Sequence, residues 1–352
     1  MKKIFLSIVT ILLTVIACKN DDTQSLDAFY ENYYEVNILP TLTNFKSEIE
    51  TQITYTQEFK EAKNLTNLEK LQNQWKTTVN AYALTRVYNF GKVKNLFYDV
   101  NIYNFPVNTT TIENVIAKKE VADIESFATK SSTIKGLGTL EYLLFNNQDT
   151  NKALTLLEND DFRVDYLLSV SQETLNQINS LINFWEDGYK TEFSTSNGKS
   201  CTDNARCLAF NQIINVLDVN KVTKIGKPAG LEKSDNIDPT LLEAYRSQFS
   251  LELIKASLQE VERVYSSSDV NFKSIVDDID TTKELSKQIA LNFADVYSNI
   301  DAISTSLYTA VTENNTKVET LYNSFTKLNN HFSVDGASLL SVTVLPTDND
   351  GD

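Results

Sequence analysis

Apolar residues recur at intervals of three or four positions along several long stretches of the chain. In an α-helix this spacing places them on one face, because the helix has about 3.6 residues per turn. The longest stripe lies in the C-terminal half and predicts one helix of about seven turns. Its positions are Leu285, Ile289, Phe293, Val296, Ile300, Ile303, Leu307 and Val311.

Shorter stripes with the same period predict further helices. They comprise Phe29, Tyr33, Val36 and Leu39, which lead to Pro40; Ile49 and Ile53 after that proline; Leu168, Leu175, Ile178, Ile182 and Trp185; Leu251, Ile254, Leu258, Val261 and Tyr265; and Val318, Leu321, Phe325, Leu328 and Phe332. Residues 340–345 form the one plausible strand. The pattern therefore predicts an all-α fold with, at most, a short strand near the C-terminus.

A polar segment divides the chain into two helical parts. Residues 194–200 are rich in serine, threonine, asparagine and glycine, which favour loops. Each part is expected to form a bundle, because an amphipathic helix needs other helices to cover its apolar face. We therefore predict two packed antiparallel bundles, at residues 27–195 and 205–346, followed by an acidic tail at 347–352.

The start of the chain has the pattern of a secretory signal. Lys2 and Lys3 precede an apolar run that is shorter than the roughly 20 residues of a membrane-spanning helix. The run ends in Val-Ile-Ala-Cys, a lipobox, so we expect residues 1–17 to be removed and Cys18 to carry lipid. A plain signal peptide with a chance cysteine is the alternative. Residues 18–26 would form a lipidated tether.

Lipid on this cysteine would hold the protein at the outer membrane, facing the periplasm or exposed at the cell surface. The Lys-Asn-Asp-Asp stretch after it is similar to a sorting tag that some Bacteroidetes use for surface lipoproteins, although the asparagine interrupts the match. Membrane attachment through lipid is therefore the first predicted interaction of the chain.

Acidic residues outnumber basic ones, with 47 Asp and Glu against 32 Lys and Arg and a net charge of −15. This balance argues against nucleic acid as a partner and disfavours anionic lipid surfaces. The excess charge could attract cations, or it could simply form a solvated surface.

Two cysteines remain after the lipobox, Cys201 and Cys207, in a polar stretch. In an oxidising envelope such a close pair is expected to form a local disulfide. A metal-binding pair is the alternative, but the chain has a single histidine to complete such a site. We therefore favour the disulfide.

A carboxylate stands among large apolar residues within the segment 134–145. Gly136 and Gly138 lie just before it, and glycine permits another backbone to approach closely. Glu141 in such surroundings must be paired, protonated or functional. The alternative is a glutamate in the first turn of a helix, where the helix dipole favours negative charge.

At this point the chain resembles the imelysin family of bacterial envelope proteins. The family signature is Gly-x-His-x-x-Glu followed by Tyr-Leu-Leu-Phe, and residues 136–145 match it except that Gly138 replaces the histidine. Further segments that resemble family stretches in the same order are residues 33–42, 75–93, 224–230, 243–253 and 341–352. Within the second of these, Val79 replaces the family's arginine, Arg86 its glutamate and Lys92 its proline.

The resemblance implies a fold of two helical bundles, with polar residues of the family clustered near their junction. It also implies an association with iron acquisition and a peptidase classification. The candidate site comprises Gly136, Gly138, Glu141 and Arg86. A zinc hydrolase needs about three protein ligands, usually including histidine, and a glycine side chain cannot ligate. Glu141 is a weak candidate for a metal ligand, and no cofactor is required.

We therefore expect a non-catalytic binding or accessory lipoprotein whose partners are the membrane, iron or an iron-bearing ligand, and an uptake protein in the outer membrane. A metallopeptidase-like hydrolase and a protein-interaction scaffold are the alternatives. Because a histidine is lost and Arg86 is gained, we expect an anionic group or an internal ion pair to replace whatever the family site holds.

His331 lies near the end of a predicted helix, where we expect it to cap or pack, since the chain contains no Gly-x-Ser-x-Gly elbow. Asp348, Asp350 and Asp352 resemble the start of a calcium loop. Such a loop needs about 12 residues and a closing glutamate, so we favour a frayed terminus unless the tail folds back on the body.

Overall fold

The computed structural model describes residues 28–120, 123–233 and 236–349. Helices joined by turns and loops make up these residues, and their β-type pairing is limited to an isolated antiparallel bridge between Asn197 and Asn204. The all-α prediction is confirmed.

Several predictions concern positions outside the described residues, namely residues 1–17, Cys18, Asp350 and Asp352. The signal peptide and the lipid anchor therefore stay predictions. In the part of the chain that the structure describes, no helix combines the length and the apolar character needed to cross a bilayer.

Helices of very different length follow one another along the chain. The α-helices are α1 (Leu39–Glu61), α2 (Leu65–Thr85), α3 (Tyr98–Ile102), α4 (Thr109–Lys118), α5 (Ile124–Thr129), α6 (Gly136–Phe145), α7 (Thr150–Glu158), α8 (Asp161–Phe184), α9 (Lys190–Thr195), α10 (Ala205–Val219), α11 (Ser250–Glu262), α12 (Phe272–Ile279), α13 (Glu284–Ala302), α14 (Leu307–Thr312), α15 (Thr316–Asn330) and α16 (Ala337–Leu339). Short polar side chains accept first-turn N–H groups at many of their starts, as Asn64, Asn108 and Asp160 do.

Turns of other helix types interrupt or extend these helices. The π-helical segments are Tyr34–Ile38, Trp185–Tyr189, Asn220–Gly226, Arg263–Ser267 and His331–Gly336. The 3₁₀ turns are Arg86–Tyr88, Lys94–Leu96, Ser132–Ile134, Cys201–Asp203 and Pro239–Leu241. Because a π turn has a wider hydrogen-bond ring than an α turn, each such segment shifts the positions that face the core.

Two packed groups of helices form the fold. In the N-terminal half α1 packs against α2 and α8, and α6 packs against α8 and α2; in the C-terminal half α15 packs against α13 and α10. Helix α11 crosses to the other half and packs on α2. One connected apolar core therefore includes Trp75 of α2, Ile213 of α10 and Leu258 of α11, all fully buried. The boundaries proposed between the two bundles stay a prediction.

The first helical run does not stop at Pro40, where the sequence suggested a change to another helix. Helix, π turns and α1 follow without a break from residue 28 to Glu61. Proline lacks the N–H that an uninterrupted α-helix would use. The π segment Tyr34–Ile38 lies just before Pro40, so the altered hydrogen bonding is taken up there.

The long stripe from Leu285 to Val311 does not form a single helix, so that prediction is wrong. Helix α13 ends at Ala302, and α14 begins after Ser306, whose hydroxyl accepts the N–H of Thr309 at 3.2 Å. Apolar positions on both sides of the break are buried, which explains why the periodicity continued through it. A serine side chain can hydrogen-bond to nearby backbone N–H groups and so favour a helix start over helix continuation. The spacing of apolar residues does not reveal this.

The candidate strand at residues 340–345 is also wrong. Asn211 of α10 accepts the N–H of Leu345 at 2.7 Å and donates to the carbonyl of Thr343 at 3.0 Å. One amide side chain thus satisfies backbone groups that a neighbouring strand would otherwise pair. Residues 340 and 341 form a turn, with Ser341 at a φ of +52°, and residues 342–345 join no ladder among the described residues.

The tail is held on the body rather than frayed, as far as the structure describes it. Asp348 accepts from Asn215 at 2.9 Å and lies 2.5 Å from Nζ of Lys94. Nearby, Asn349 donates to Asp218 at 2.9 Å. A frayed terminus is therefore the wrong description of residues 347–349.

Cys201 and Cys207 are joined by a disulfide bond. Asn211 donates to Sγ of Cys201 at 3.2 Å, which places the disulfide beside the amide that holds the C-terminal segment. The bridge and the tail therefore share one anchoring side chain.

Candidate functional site

Helix α6 carries the signature segment, and its glycines lie against the backbone of residues 101–107. Gly136 has a φ of +74°, and a Cβ built there would lie 2.4 Å from the carbonyl oxygen of Ile102. A Cβ at Gly138 would lie 2.6 Å from the carbonyl oxygen of Asn104. The space that the family's histidine side chain would need is therefore filled by backbone.

Glu141 lies one turn further along α6 and is fully buried. Its Oε1 accepts the N–H of Ser247 at 2.8 Å and the hydroxyl of the same residue at 2.9 Å, while Oε2 has no hydrogen-bond partner among the described residues. Burial raises the pKa of Glu141 to about 7, although the backbone and side chain of Ser247 and the charge of Arg246 oppose the rise. The side chain is enclosed rather than presented to solvent.

Arg86 begins the 3₁₀ turn after α2 and forms an ion pair. Its Nη1 lies 3.1 Å from Oε1 of Glu243, and Nζ of Lys224 lies 2.8 Å from Oε2 of the same carboxylate. For Arg86 we expected either a bound anionic group or an internal ion pair, and the structure contains the internal ion pair. One carboxylate is thus shared by two cations from different segments of the chain.

Burial and pairing act in opposite directions on this cluster. Burial lowers the pKa of Lys224 to about 8, and the attraction of Glu243 offsets only part of that effect. For Glu243, burial raises the pKa, but Lys224 and Arg86 together outweigh it and hold the pKa below its ordinary value. The carboxylate is therefore ionised at neutral pH, and Lys224 is the group whose charge is costly.

Tyr103 connects the regions around Glu141 and Arg86, which make no hydrogen bond or ion pair with each other. Its ring would lie 3.2 Å from a Cβ at Gly138. Burial raises the pKa of Tyr103 well above its usual value, and the charges of Glu243 and Glu141 raise it further. The phenol therefore keeps its proton, and the candidate residues surround this one side chain.

Two cavities lie beside these residues. The larger, about 200 Å³, is called the polar cavity below. Its lining includes Tyr82, Arg86, Asp99, Tyr103, Lys224 and Glu243, together with further polar and apolar residues. A smaller one of about 50 Å³ shares Arg86 and Asp99 and also reaches Asp348 of the tail. Both lie between the N-terminal and C-terminal helices.

His331 lies elsewhere, at the end of α15, where its Nδ1 is 2.9 Å from Oδ2 of Asp335. Across residues 28–120, 123–233 and 236–349, no group of three or more His, Cys, Asp or Glu side chains is arranged to hold a metal ion. The structure thus gives Glu141 no companion ligands among the described residues.

Sequence reasoning missed Lys224 and Glu243 as site residues. Both lie in segments that resemble family stretches, and that was the available signal. It also missed a buried network around Glu260, which accepts from Thr41 at 3.0 Å and from Arg263 at 2.7 Å, and which also pairs with Tyr88. These contacts join helices that are far apart in sequence, so periodicity alone does not reveal them.

We predict that Gly138→His will lower the free energy of unfolding by roughly 3 kcal/mol or more, because its Cβ collides with backbone rather than with a flexible side chain. Leu291→His is the matched control: residue 291 is 56 % exposed on α13, and a change of about 0.5 kcal/mol is expected there. Urea unfolding measures both. Wild-type stability in Gly138→His would show that the histidine position is open.

The titration of Glu141 predicts a specific pH dependence of stability. With a folded pKa of about 7 against an ordinary 4.5, the folded protein keeps a proton that the unfolded chain releases between these values. Stability therefore falls as pH rises through this window and levels off above it. Glu141→Gln removes the titration while keeping an oxygen for Ser247 to donate to.

Between pH 5.5 and 8, wild type should lose roughly 2 kcal/mol of unfolding free energy relative to Glu141→Gln. Urea unfolding of both proteins at several pH values gives the difference. Parallel pH profiles would mean that Glu141 is already ionised in the folded protein.

Known proteins place this architecture in a family. The family model described as Imelysin matches residues 38–332. An imelysin-like protein from Psychrobacter arcticum 273-4 is similar in fold, with a TM-score of 0.77 at 16 % identity, over 92 % of this chain and 98 % of that one. A "putative iron-regulated protein A precursor" from Parabacteroides distasonis ATCC 8503 is similar with a TM-score of 0.75 at 16 % identity, over 91 % and 95 %.

At this identity the two structures establish the fold alone. A search of curated proteins finds no match. The family model covers most of the chain, and the helical segments that it spans include the signature helix α6, α2 with Trp75, and the segment of Lys224. The chain belongs to the imelysin family.

Proposed function

We propose that this chain is a lipid-anchored envelope protein that binds a ligand without cleaving it and serves iron acquisition as a binding or accessory component. The observation that carries the proposal is the position of Asn104, whose carbonyl oxygen lies 2.6 Å from where a Cβ at Gly138 would be. The signature histidine is thus replaced by packing between backbones. A residue that could ligate or polarise a substrate is absent from that position.

The surviving signature carboxylate is also poorly suited to hydrolysis. Glu141 is fully buried and uses one oxygen to accept two hydrogen bonds from Ser247. A general base must reach the water or hydroxyl from which it takes a proton. Enclosure on α6 therefore favours a structural or positioning role for this side chain.

Binding is supported by the polar cavity between the two groups of helices. Cavities at such junctions are common ligand sites, and this one contains charged side chains from both halves. The link to iron rests on the family resemblance and on the relative whose name refers to iron regulation. An uptake protein in the outer membrane is the partner that this role would require.

Lipid attachment is tested by labelling cells with a radioactive fatty acid and recovering the full-length protein. Wild type should carry label, and Cys18→Ala should carry none, since the thioether forms only on that sulfur. Cys201→Ala is the matched control and should keep the label. Unlabelled wild type, or labelled Cys18→Ala, would refute the anchor.

Ligand binding and hydrolysis are tested on protein purified from native membranes. Elemental analysis should find iron above the level of a mock purification, and peptide mixtures should stay intact with and without a chelator. Chelator-sensitive cleavage that disappears in Glu141→Gln would establish the hydrolase instead. A stable protein partner recovered without iron would favour a scaffold and reject the iron role.

A further inference from the structure

The polar cavity contains more hydrogen-bond donors than the protein satisfies. Among the described residues, both cations pair with the carboxylate of Glu243: Nη1 of Arg86 donates to it at 3.1 Å, and Nζ of Lys224 lies 2.8 Å from it without the geometry of a hydrogen bond. A guanidinium carries five N–H groups and an ammonium three, so both cations have donors that Glu243 does not use. Both residues line the cavity, and Nζ of Lys224 is enclosed beside it without a hydrogen-bond partner among the described residues.

A neutral donor stands beside them. Tyr103 lines the cavity and is 6 % exposed, yet its hydroxyl has no hydrogen-bond partner among the described residues. A buried hydroxyl without a partner is destabilising, because it loses its hydrogen bonds to water on folding. Its retention beside two cations is explained if a ligand supplies the missing acceptor.

Asp99 is the opposing charge at this cavity. It is half-buried, and its Oδ2 accepts from Nδ2 of Asn89 at 2.8 Å. Lys224 is more deeply buried, with 5 % of its side chain exposed. An anionic group would therefore bind beside Lys224, the more deeply buried cation, because the negative charge of Asp99 already acts on Arg86.

We propose that the polar cavity binds a small organic carboxylate, whose oxygens accept hydrogen bonds from Arg86, Lys224 and Tyr103. The planar guanidinium fork matches a carboxylate, and an ammonium adds a point charge beside it. A second carboxylate also adds negative charge beside Lys224, which now shares Glu243 with Arg86. This inference rests on the proposed binding function and names the class of ligand for it.

The size of the cavity restricts the ligand. Its volume of about 200 Å³ lies below the roughly 300–1,000 Å³ of pockets that take drug-sized molecules. A metabolite-sized carboxylate fits this space, and a folded peptide chain does not. Carboxylates of this class also ligate hard metal ions through oxygen, which connects the site to the iron role.

Titration calorimetry of the full-length protein, stripped of metal, tests the site with citrate and succinate as carboxylates and with inorganic phosphate as a different oxyanion. Wild type should bind at least one carboxylate more tightly than phosphate. Lys224→Met and Arg86→Gln should each weaken binding at least tenfold. Lys327→Gln, an exposed position on α15, should leave binding unchanged.

Tyr103→Phe separates ligand binding from folding. Because the hydroxyl has no partner among the described residues, its removal should leave the urea midpoint unchanged or raise it, while carboxylate affinity falls several-fold. A protein whose Tyr103 is merely structural would show no change in affinity. This variant keeps the proposal testable even if the charge variants fold poorly.

No carboxylate binding, unchanged affinity in both Tyr103→Phe and Lys224→Met, or a preference for phosphate would each overturn the inference. These failures are separate from failure of the proposed function. If wild type carries iron and the three cavity variants carry the same amount, the proposed function stands and the cavity is not its site. If the protein binds a carboxylate but carries no iron when purified from its native membrane, the carboxylate site stands and the iron role is rejected.

Discussion

Close packing between two backbones determines the arrangement of the rest of the site. Residues 101–107 lie against α6 at Gly136 and Gly138, where an added Cβ would come within 2.4 and 2.6 Å of carbonyl oxygens. Only glycine allows this approach. The contact places Tyr103 beside Gly138 and closes the end of α6, so that Glu141 is enclosed one turn later. Glycine at position 138 therefore determines the shape of the site as well as its chemistry.

Enclosure then sets the electrostatics. Glu141 lies away from water with one oxygen unpaired, and burial raises its pKa to about 7. Near the same tyrosine, Tyr103, the carboxylate of Glu243 stays ionised because two cations offset its burial. The site thus contains one carboxyl that is readily protonated, Glu141, and one that is not, Glu243. Such divergent environments arise from burial and partners rather than from residue type.

The sequence predicted the helices and their buried faces well, but not their interruptions or their polar connections. Positions such as Leu258 and Phe325 follow from periodicity because burying a face requires it. The break before α14 depends on a serine cap, and the absence of a strand depends on one asparagine of α10. Arg86 and Glu243 are 157 positions apart, and the pairing of such distant residues is decided by tertiary packing.

Polar contacts join the two halves of the fold before any ligand arrives. Glu260 on α11 accepts from Thr41 on α1 and from Arg263, and Glu243 holds Arg86 to Lys224 across the junction. Breaking one partner of a buried ion pair leaves an uncompensated charge, which is more costly than the pair itself is stabilising. The two groups of helices are thus held together by charge as well as by apolar contact. A ligand entering the polar cavity meets cations already in place, so little of its binding energy is spent on ordering them.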